Sequence, residues 1–194
     1  MFNTLTNVLP QEITLLCDIM MQNQVEATIF NLAVLTISDM GARGEREDTS
    51  GQAIQEMMSA EGFQVVHQQV VPDEQDLIAE TLQRWSDSAE VDLILTTGGT
   101  GLGHRDVTPE ATASVIQRPV PGIAEALRME TLKFTPMAML SRSVAGVRGR
   151  CLIINLPGSP KGVRECLQVV LPVLPHALEL LRGEARDHPT GVSP

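Results

Sequence analysis

Short continuous runs of apolar residues alternate along the chain with segments whose apolar residues recur every three or four positions. The continuous runs predict buried strands, and the spaced segments predict amphipathic helices. The predicted strands span residues 32–37, 64–71, 92–96 and 151–156. The predicted helices span residues 49–60, 74–85 and 121–133, and a further helix starts at Thr108-Pro109-Glu110. A last helical segment follows Ser159 and is expected to kink or break near Leu171.

Regular alternation of strand and helix predicts an α/β fold with three layers, α/β/α, around a mostly parallel sheet. Ligands of such folds bind at the carboxyl ends of the strands. Small and polar residues gather at those ends in this sequence: Ser38-Asp39 after the first strand, Pro72-Asp73 after the second, residues 97–101 after the third and residues 155–159 at the fourth. We therefore expect the functional site at that edge of the sheet.

Two terminal segments fall outside this pattern. Residues 1–30 contain acidic but no basic residues and predict an extension, helical or disordered, in which the Met20-Met21 pair leaves a later translation start open. Residues 184–194 are polar and rich in proline and glycine, which predicts a flexible tail. One domain, residues 31–183, is expected between them.

Composition excludes several kinds of partner. The chain has 14 Lys and Arg against 24 Asp and Glu, a formal net charge of -10, which disfavours nucleic-acid binding by phosphate neutralisation. Tyrosine is absent and tryptophan occurs once, so base stacking lacks its usual platforms. No apolar stretch reaches the roughly 20 residues needed to span a bilayer, and no basic leader precedes the first strand. We expect a cytoplasmic protein with no nucleic-acid or membrane partner.

The third polar cluster, Thr97-Gly98-Gly99-Thr100-Gly101, predicts an anion site, because glycine backbones approach a phosphate closely and adopt positive φ. A P-loop would need Gly-Lys-Ser/Thr where His104-Arg105 follows, and a dinucleotide fingerprint from Gly99 would need glycine at His104. The failed fingerprint disfavours a nicotinamide oxidoreductase. A plain structural turn remains the alternative for this loop.

Two carboxylates are predicted to face the glycine loop. Asp106 follows Gly101 by five residues, and Asp73 ends the neighbouring strand. Acids beside a phosphate repel it unless a cation lies between them, and Mg²⁺ held by one or two carboxylates plus substrate phosphates is the usual arrangement. Asp73 and Asp106 are therefore candidate metal ligands. The structural alternative for Asp73 is a helix cap, and those for Asp106 are an ion pair with Arg105 or support of the turn before Thr108.

Several motifs together carry a family resemblance. Residues 97–101 and the following Arg105-Asp106-Val107-Thr108-Pro109-Glu110, with residues 35–39, Asp48-Thr49-Ser50-Gly51, residues 139–142 and Asn155-Leu156-Pro157-Gly158, resemble the molybdopterin adenylyltransferase family of molybdenum-cofactor biosynthesis. That family includes the bacterial MogA- and MoaB-type proteins and the G domains of the fused plant cofactor protein and of gephyrin. The resemblance covers about residues 32–188, in matching order.

The resemblance implies a Mg²⁺-dependent enzyme that transfers AMP from ATP to the phosphate of molybdopterin and releases pyrophosphate. It also implies a MogA-like fold, a homotrimer, and a separate molybdenum-insertion enzyme as pathway partner. Asp73 and Asp106 match the family's catalytic, metal-binding acids. The matching nucleotide-binding positions are Thr97, Gly98, Gly99, Thr100, Gly101, Asn155, Leu156, Pro157, Gly158 and Ser159. The matching molybdopterin-binding positions are Ser38, Asp39, Asp48, Ser50, Ser141 and Arg142.

The rival function is a non-catalytic molybdopterin-binding or scaffold protein of the same fold. Retention of both acids and of the complete glycine loop favours the enzyme. The attacking phosphate is largely ionised near neutral pH, so catalysis is expected to rest on alignment and charge neutralisation. Arg142 or Arg105 is expected to assist in that neutralisation.

Overall fold

The computed structural model describes residues 28–184, and most of the predicted extension and tail lies outside the described residues. The strands are β1 (Asn31–Ile37), β2 (Gln64–Val71), β3 (Leu93–Thr97), β4 (Arg118–Pro119), β5 (Ala145–Arg148) and β6 (Cys151–Leu156). The helices are α1 (Asp39–Ala42), α2 (Thr49–Ala60), α3 (Gln75–Asp87), α4 (Thr108–Val115), α5 (Pro121–Thr131), α6 (Pro160–Val170) and α7 (Leu174–Arg182), with a 3₁₀ helix at Pro136–Leu140.

The strands form one sheet in the order β2-β1-β3-β6-β5-β4. Strands β2, β1, β3 and β6 are parallel, and β5 and β4 extend one edge antiparallel. The mostly parallel sheet and its four predicted strands are confirmed, whereas the sequence did not predict β4 and β5. These two strands are two and four residues long, so neither produces a recognisable apolar run.

Helices cover both faces of the sheet, which confirms the predicted three layers. Along β1, Leu32 and Val34 belong to a core formed with α2, α5, α6 and α7. Ala33 and Leu35 belong to the opposite core, formed with α3 and α4. Burial on both faces explains why this strand is a continuous apolar run in the sequence.

Proline sets the helix boundaries in the last third of the domain. The predicted break near Leu171 is confirmed, because α6 ends at Val170 and α7 begins at Leu174. Pro172 lies in this gap and lacks the N–H that a continuous helix would use. Between residues 28 and 184, no helix has the length and apolar character needed to cross a membrane.

Candidate active site

The carboxyl ends of β1 and β2 bring Asp39 and Asp73 together. The two strands pair in parallel as far as Ile37 and Val71, so the residues that follow leave the sheet side by side. The Asp39 N–H donates to Asp73 Oδ2 at 2.7 Å, and the Asp73 N–H donates to Asp39 Oδ1 at 3.1 Å. Each carboxylate therefore anchors the backbone of the other loop.

The glycine loop, residues 98–103, follows β3 and is packed tightly against β1. Gly98 has a φ of 99°, and a Cβ there would lie 2.2 Å from the Ile37 carbonyl oxygen, so only glycine fits. The Thr108 hydroxyl donates to the Gly98 carbonyl at 2.9 Å, and the Thr108 N–H donates to the Gly99 carbonyl at 3.1 Å. The start of α4 thus fixes the loop at the end of β1.

Both predicted acids lie at this loop. A Cβ on Gly99 would lie 3.3 Å from Asp73 Oδ1, and one on Gly101 would lie 3.0 Å from Asp106 Oδ2. Asp106 Oδ2 accepts the Gly103 N–H at 2.7 Å. Within residues 28–184, neither Asp73 Oδ1 nor Asp106 Oδ1 accepts a hydrogen bond. One oxygen of each carboxylate therefore has no hydrogen-bond donor among the described residues.

The environment of these acids changes their ionisation. Burial raises the pKa of Asp73 above its ordinary value, and the charges of Asp39 and Asp106 also raise it. The opposite holds at Asp39, where the hydrogen-bonded Arg105 guanidinium holds the pKa of that carboxyl below its ordinary value. Asp73 is therefore the acid whose negative charge is less well compensated.

Arg105 is held away from a phosphate-binding role by two acids. Its Nη2 lies 2.9 Å from Asp39 Oδ1 and 2.8 Å from Glu74 Oε1, and its Nε donates to Asp39 Oδ2 at 3.1 Å. The side chain thus ties the glycine loop to the loops after β1 and β2. The predicted alternative was an ion pair between Asp106 and Arg105. Among residues 28–184, Arg105 pairs with Asp39 and Glu74 instead.

Arg142 clamps the glycine loop from the other side. Its Nε donates to the Gly101 carbonyl at 2.6 Å, its Nη2 donates to the Asp106 carbonyl, and its Nη1 pairs with Glu110. The Arg142 N–H also donates to the Thr100 carbonyl at 3.0 Å. All three guanidinium nitrogens are therefore engaged in holding the segment that carries Asp106.

Two clefts open beside the glycine loop. The polar cleft has a volume of about 390 Å³, and its lining includes Arg46, Glu47 and the predicted residues Ser38, Asp48, Ser50, Asp73, Gly98, Gly99, Gly158 and Ser159. The apolar cleft has a volume of about 530 Å³, and its lining includes Leu102, Phe134, Met137, Leu140 and the predicted residues Thr100, Gly101, Ser141, Pro157 and Ser159. Because Ser159 lines both, the glycine loop and the turn after β6 form a shared wall.

This wall divides both predicted binding sets. Among the predicted nucleotide-binding residues, Gly98 and Gly99 line the polar cleft, whereas Thr100 and Gly101 line the apolar cleft. Ser141 is likewise separated from the other predicted molybdopterin-binding residues that line a cleft. A motif names the residues of a loop, but only the path of the loop shows which side each residue faces.

Three predicted nucleotide-binding residues lie beneath the clefts. Thr97, Asn155 and Leu156 are fully buried and line neither cleft. The Asn155 amide donates to the hydroxyls of Thr96 and Thr112, at 2.9 Å each. Their side chains therefore stabilise the ends of the central strands β3 and β6, and their part in nucleotide binding stays a prediction.

Sequence reasoning missed Arg46, which lies in the loop between α1 and α2 and lines the polar cleft. The available signal was a basic residue in the segment between the predicted site residues Asp39 and Asp48. It also missed Phe134 and Met137, whose side chains line the apolar cleft although they are 57% and 62% exposed.

The acids fit one kind of metal site. In the part of the chain that the structure describes, no group of three or more His, Cys, Asp and Glu side chains forms a metal cage. Mg²⁺ needs no such cage, because it binds through one or two carboxylates together with water and substrate phosphates. Asp73 and Asp106, each with one carboxylate oxygen that accepts no hydrogen bond from the described residues, fit Mg²⁺ in the company of a phosphate ligand.

Known proteins share both the sequence and the fold. Residues 33–176 match the family model of a "probable molybdopterin binding domain". The chain is 47% identical over 155 residues to a molybdopterin adenylyltransferase of Helicobacter pylori J99, covering 79% of this chain and 88% of that one. It is 36% identical over 167 residues to the molybdopterin adenylyltransferase of Escherichia coli K12, covering 78% of this chain and 85% of that one.

A solved structure of the molybdopterin biosynthesis enzyme MoaB from Thermus thermophilus superimposes with a TM-score of 0.75 at 57% sequence identity, covering 79% of this chain and 97% of that one. The resemblance predicted from the motifs is thus confirmed in sequence and in structure. This chain belongs to the molybdopterin-binding family that contains the molybdopterin adenylyltransferases.

Proposed function

We propose that this protein is a molybdopterin adenylyltransferase, which transfers AMP from ATP to the phosphate of molybdopterin and releases pyrophosphate. One observation carries the proposal: the Asp73 carboxylate lies against Gly99 of a bare glycine loop inside a single polar cleft. Relatives that bear this activity as their name, at 36% and 47% identity, support it.

Two clefts with a shared wall suit a reaction between two phosphate-bearing molecules. Each cleft has a volume within the usual range for small-molecule sites. Substrates that enter from the two sides bring their phosphates to the same glycine loop, where Gly98 and Gly99 line one cleft and Thr100 and Gly101 line the other. Alignment of two reactants in this way supplies a large part of the rate enhancement in group transfer.

Mg²⁺ belongs to this proposal, with Asp73 and Asp106 as the residues that hold it. When bound, the ion neutralises charge on the α-phosphate and on the leaving pyrophosphate. Asp73 binds a cation only when ionised, and burial raises its pKa. The attacking phosphate is already largely ionised near neutral pH, so the site needs no strong base.

We also propose a cytoplasmic homotrimer whose product passes to a separate molybdenum-insertion enzyme. Exposed apolar side chains support association, because Met137 in the apolar cleft is 62% exposed and Met129 and Met139 are 68% and 65% exposed. Apolar groups gathered on a surface mark a site of protein contact. Sedimentation equilibrium of the purified chain is expected to give the mass of three subunits, and a monomer mass would contradict this part.

The test is pyrophosphate release by the purified protein with ATP, Mg²⁺ and molybdopterin. We expect release only when all three are present, and a strong loss in Asp73→Asn and Asp106→Asn with molybdopterin binding retained. Arg164→Ala is the control, because Arg164 makes a surface ion pair with Glu56 at 3.1 Å. Wild-type turnover in both Asn variants would contradict the metal site, and binding of molybdopterin without turnover in the wild type would favour the scaffold function.

A further inference from the structure

Arg46 is the basic side chain of the polar cleft. Among the described residues that line the cleft, the others contribute no Lys or Arg, whereas Glu47, Asp48 and Asp73 contribute carboxylates. A phosphate group that enters the cleft therefore meets three acids and one guanidinium. The electrostatic balance of the cleft depends on that guanidinium and on any bound cation.

The two arginines expected to assist catalysis are engaged elsewhere. Arg105 pairs with Asp39 and Glu74, and Arg142 holds the glycine loop. Redirecting either one to a phosphate would leave an acid or a carbonyl group without its donor. Within residues 28–184, the Arg46 side chain forms no hydrogen bond or ion pair, so its donors are available.

The loop that carries Arg46 is anchored at both ends. Before the loop, the Gly41 N–H of α1 donates to Ser38 Oγ at 3.1 Å. At its end, Asp48 accepts the Thr36 hydroxyl and the Gly51 N–H, at 2.8 Å each. These bonds hold the loop backbone beside the cleft, while the exposed Arg46 side chain remains free to turn towards a ligand.

We propose that Arg46 binds a phosphate group of a substrate in the polar cleft, an inference that rests on the proposed function. A guanidinium is always charged, and its planar fork matches two phosphate oxygens. Among the candidate arginines, Arg46 is the one that can bind the phosphate without breaking an existing hydrogen bond or ion pair. The phosphate belongs either to the ATP triphosphate or to the molybdopterin monoester, and kinetics separates the two.

The first measurement is calorimetric binding of inorganic pyrophosphate, with Mg²⁺, to the full chain. Arg46→Ala is expected to weaken binding about tenfold, the loss of one charge-assisted contact, and to reduce its dependence on salt. Arg46→Lys is expected to recover part of the affinity. Arg43→Ala is the matched control, since Arg43 lies in the same loop, pairs with Glu45 at 2.9 Å and lines neither cleft. Equal affinity of Arg46→Ala and wild type, or no binding by the wild type, would overturn the inference.

The second measurement is the KM of each substrate in the pyrophosphate-release assay. A higher KM for ATP in Arg46→Ala assigns the contact to the triphosphate, and a higher KM for molybdopterin assigns it to the monoester. Unchanged KM values for both substrates would contradict the inference. If the wild type binds pyrophosphate through Arg46 but shows no turnover, the proposed function fails and the Arg46 contact stands.

Discussion

Asp39 and Asp73 hold each other's backbone across two neighbouring loops. The Asp39 N–H donates to Asp73 Oδ2 at 2.7 Å, and the Asp73 N–H donates to Asp39 Oδ1 at 3.1 Å. Two carboxylates in this arrangement repel each other, and Arg105 forms a direct ion pair with Asp39 but acts on Asp73 only through its charge. The half-buried Asp73 is left with a negative charge that a cation in the polar cleft would stabilise.

Asp73→Asn is expected to lose turnover without losing stability. The Asn side chain still accepts the Asp39 N–H, and the change removes a carboxylate whose pKa is raised by burial. A raised carboxyl pKa means that the fold favours the protonated form of Asp73. The ionised form therefore lowers the free energy of unfolding at neutral pH. This loss of stability disappears as the pH falls through the folded-state pKa.

Thermal unfolding of Asp73→Asn and of the wild type measures this effect. We expect the variant to melt at or above the wild-type temperature near neutral pH, with the difference shrinking towards acid pH. A clearly lower melting temperature for the variant at neutral pH would show that the Asp73 charge stabilises the fold, against this account.

Arg105→Ala is expected to move the acid limb of the pH–activity profile to higher pH. Arg105 lowers the pKa of Asp39 by its hydrogen bond and lowers that of Asp73 by its charge. Removing Arg105 raises both pKa values, so Asp73 becomes protonated at a higher pH when the solution is acidified. Profiles of kcat/KM against pH check this, with Arg105→Lys restoring part of the shift and Arg164→Ala leaving the profile unchanged.

Arg142→Ala is expected to reduce kcat by about 10- to 100-fold, because a misplaced loop costs this much in catalytic alignment. The wild-type side chain holds the carbonyls of Gly101 and Asp106. Glu110→Gln is the matched control, since it removes the part-exposed ion pair and leaves both carbonyl contacts. Hydrogen exchange over residues 101–106 should quicken in Arg142→Ala, and unchanged exchange with unchanged kcat would contradict the clamp.

The parallel core of this fold could be predicted because buried strands leave a clear trace in sequence. The stretch from Leu32 to Leu35 in β1 is apolar without interruption because both faces of the strand are covered. The antiparallel edge left no such trace, since Arg118–Pro119 and Ala145–Arg148 are too short to show a pattern.

The site could be predicted in part for a related reason. Asp73 and Asp106 were placed at one glycine loop because parallel strands deliver their carboxyl ends to one edge. The sequence did not show that Asn155 points into the core, nor that a loop returns Arg46 to the cleft. Both facts depend on which way a residue faces, which a motif does not encode.

Asn155→Ala is expected to lower the free energy of unfolding by about 2–3 kcal/mol, because it leaves buried polar partners without a hydrogen bond. The wild-type amide serves the hydroxyls of Thr96 and Thr112 in the core. Urea denaturation measures the loss, with Gln168→Ala on the exposed side of α6 as a control within about 0.5 kcal/mol of wild type. A change for Asn155→Ala as small as the control would mean that the core hydrogen bonds contribute little.

The proposed reaction transfers AMP from ATP to molybdopterin, two substrates that meet at the glycine loop. The most direct test supplies the purified protein with Mg²⁺, molybdopterin and ATP labelled at the α-phosphate, and follows the label into the pterin product by chromatography and mass spectrometry. We expect α-label to appear on molybdopterin in an amount equal to the released pyrophosphate, and γ-label never to appear there. Label from the γ-phosphate on the pterin, or none from the α-phosphate, would contradict it.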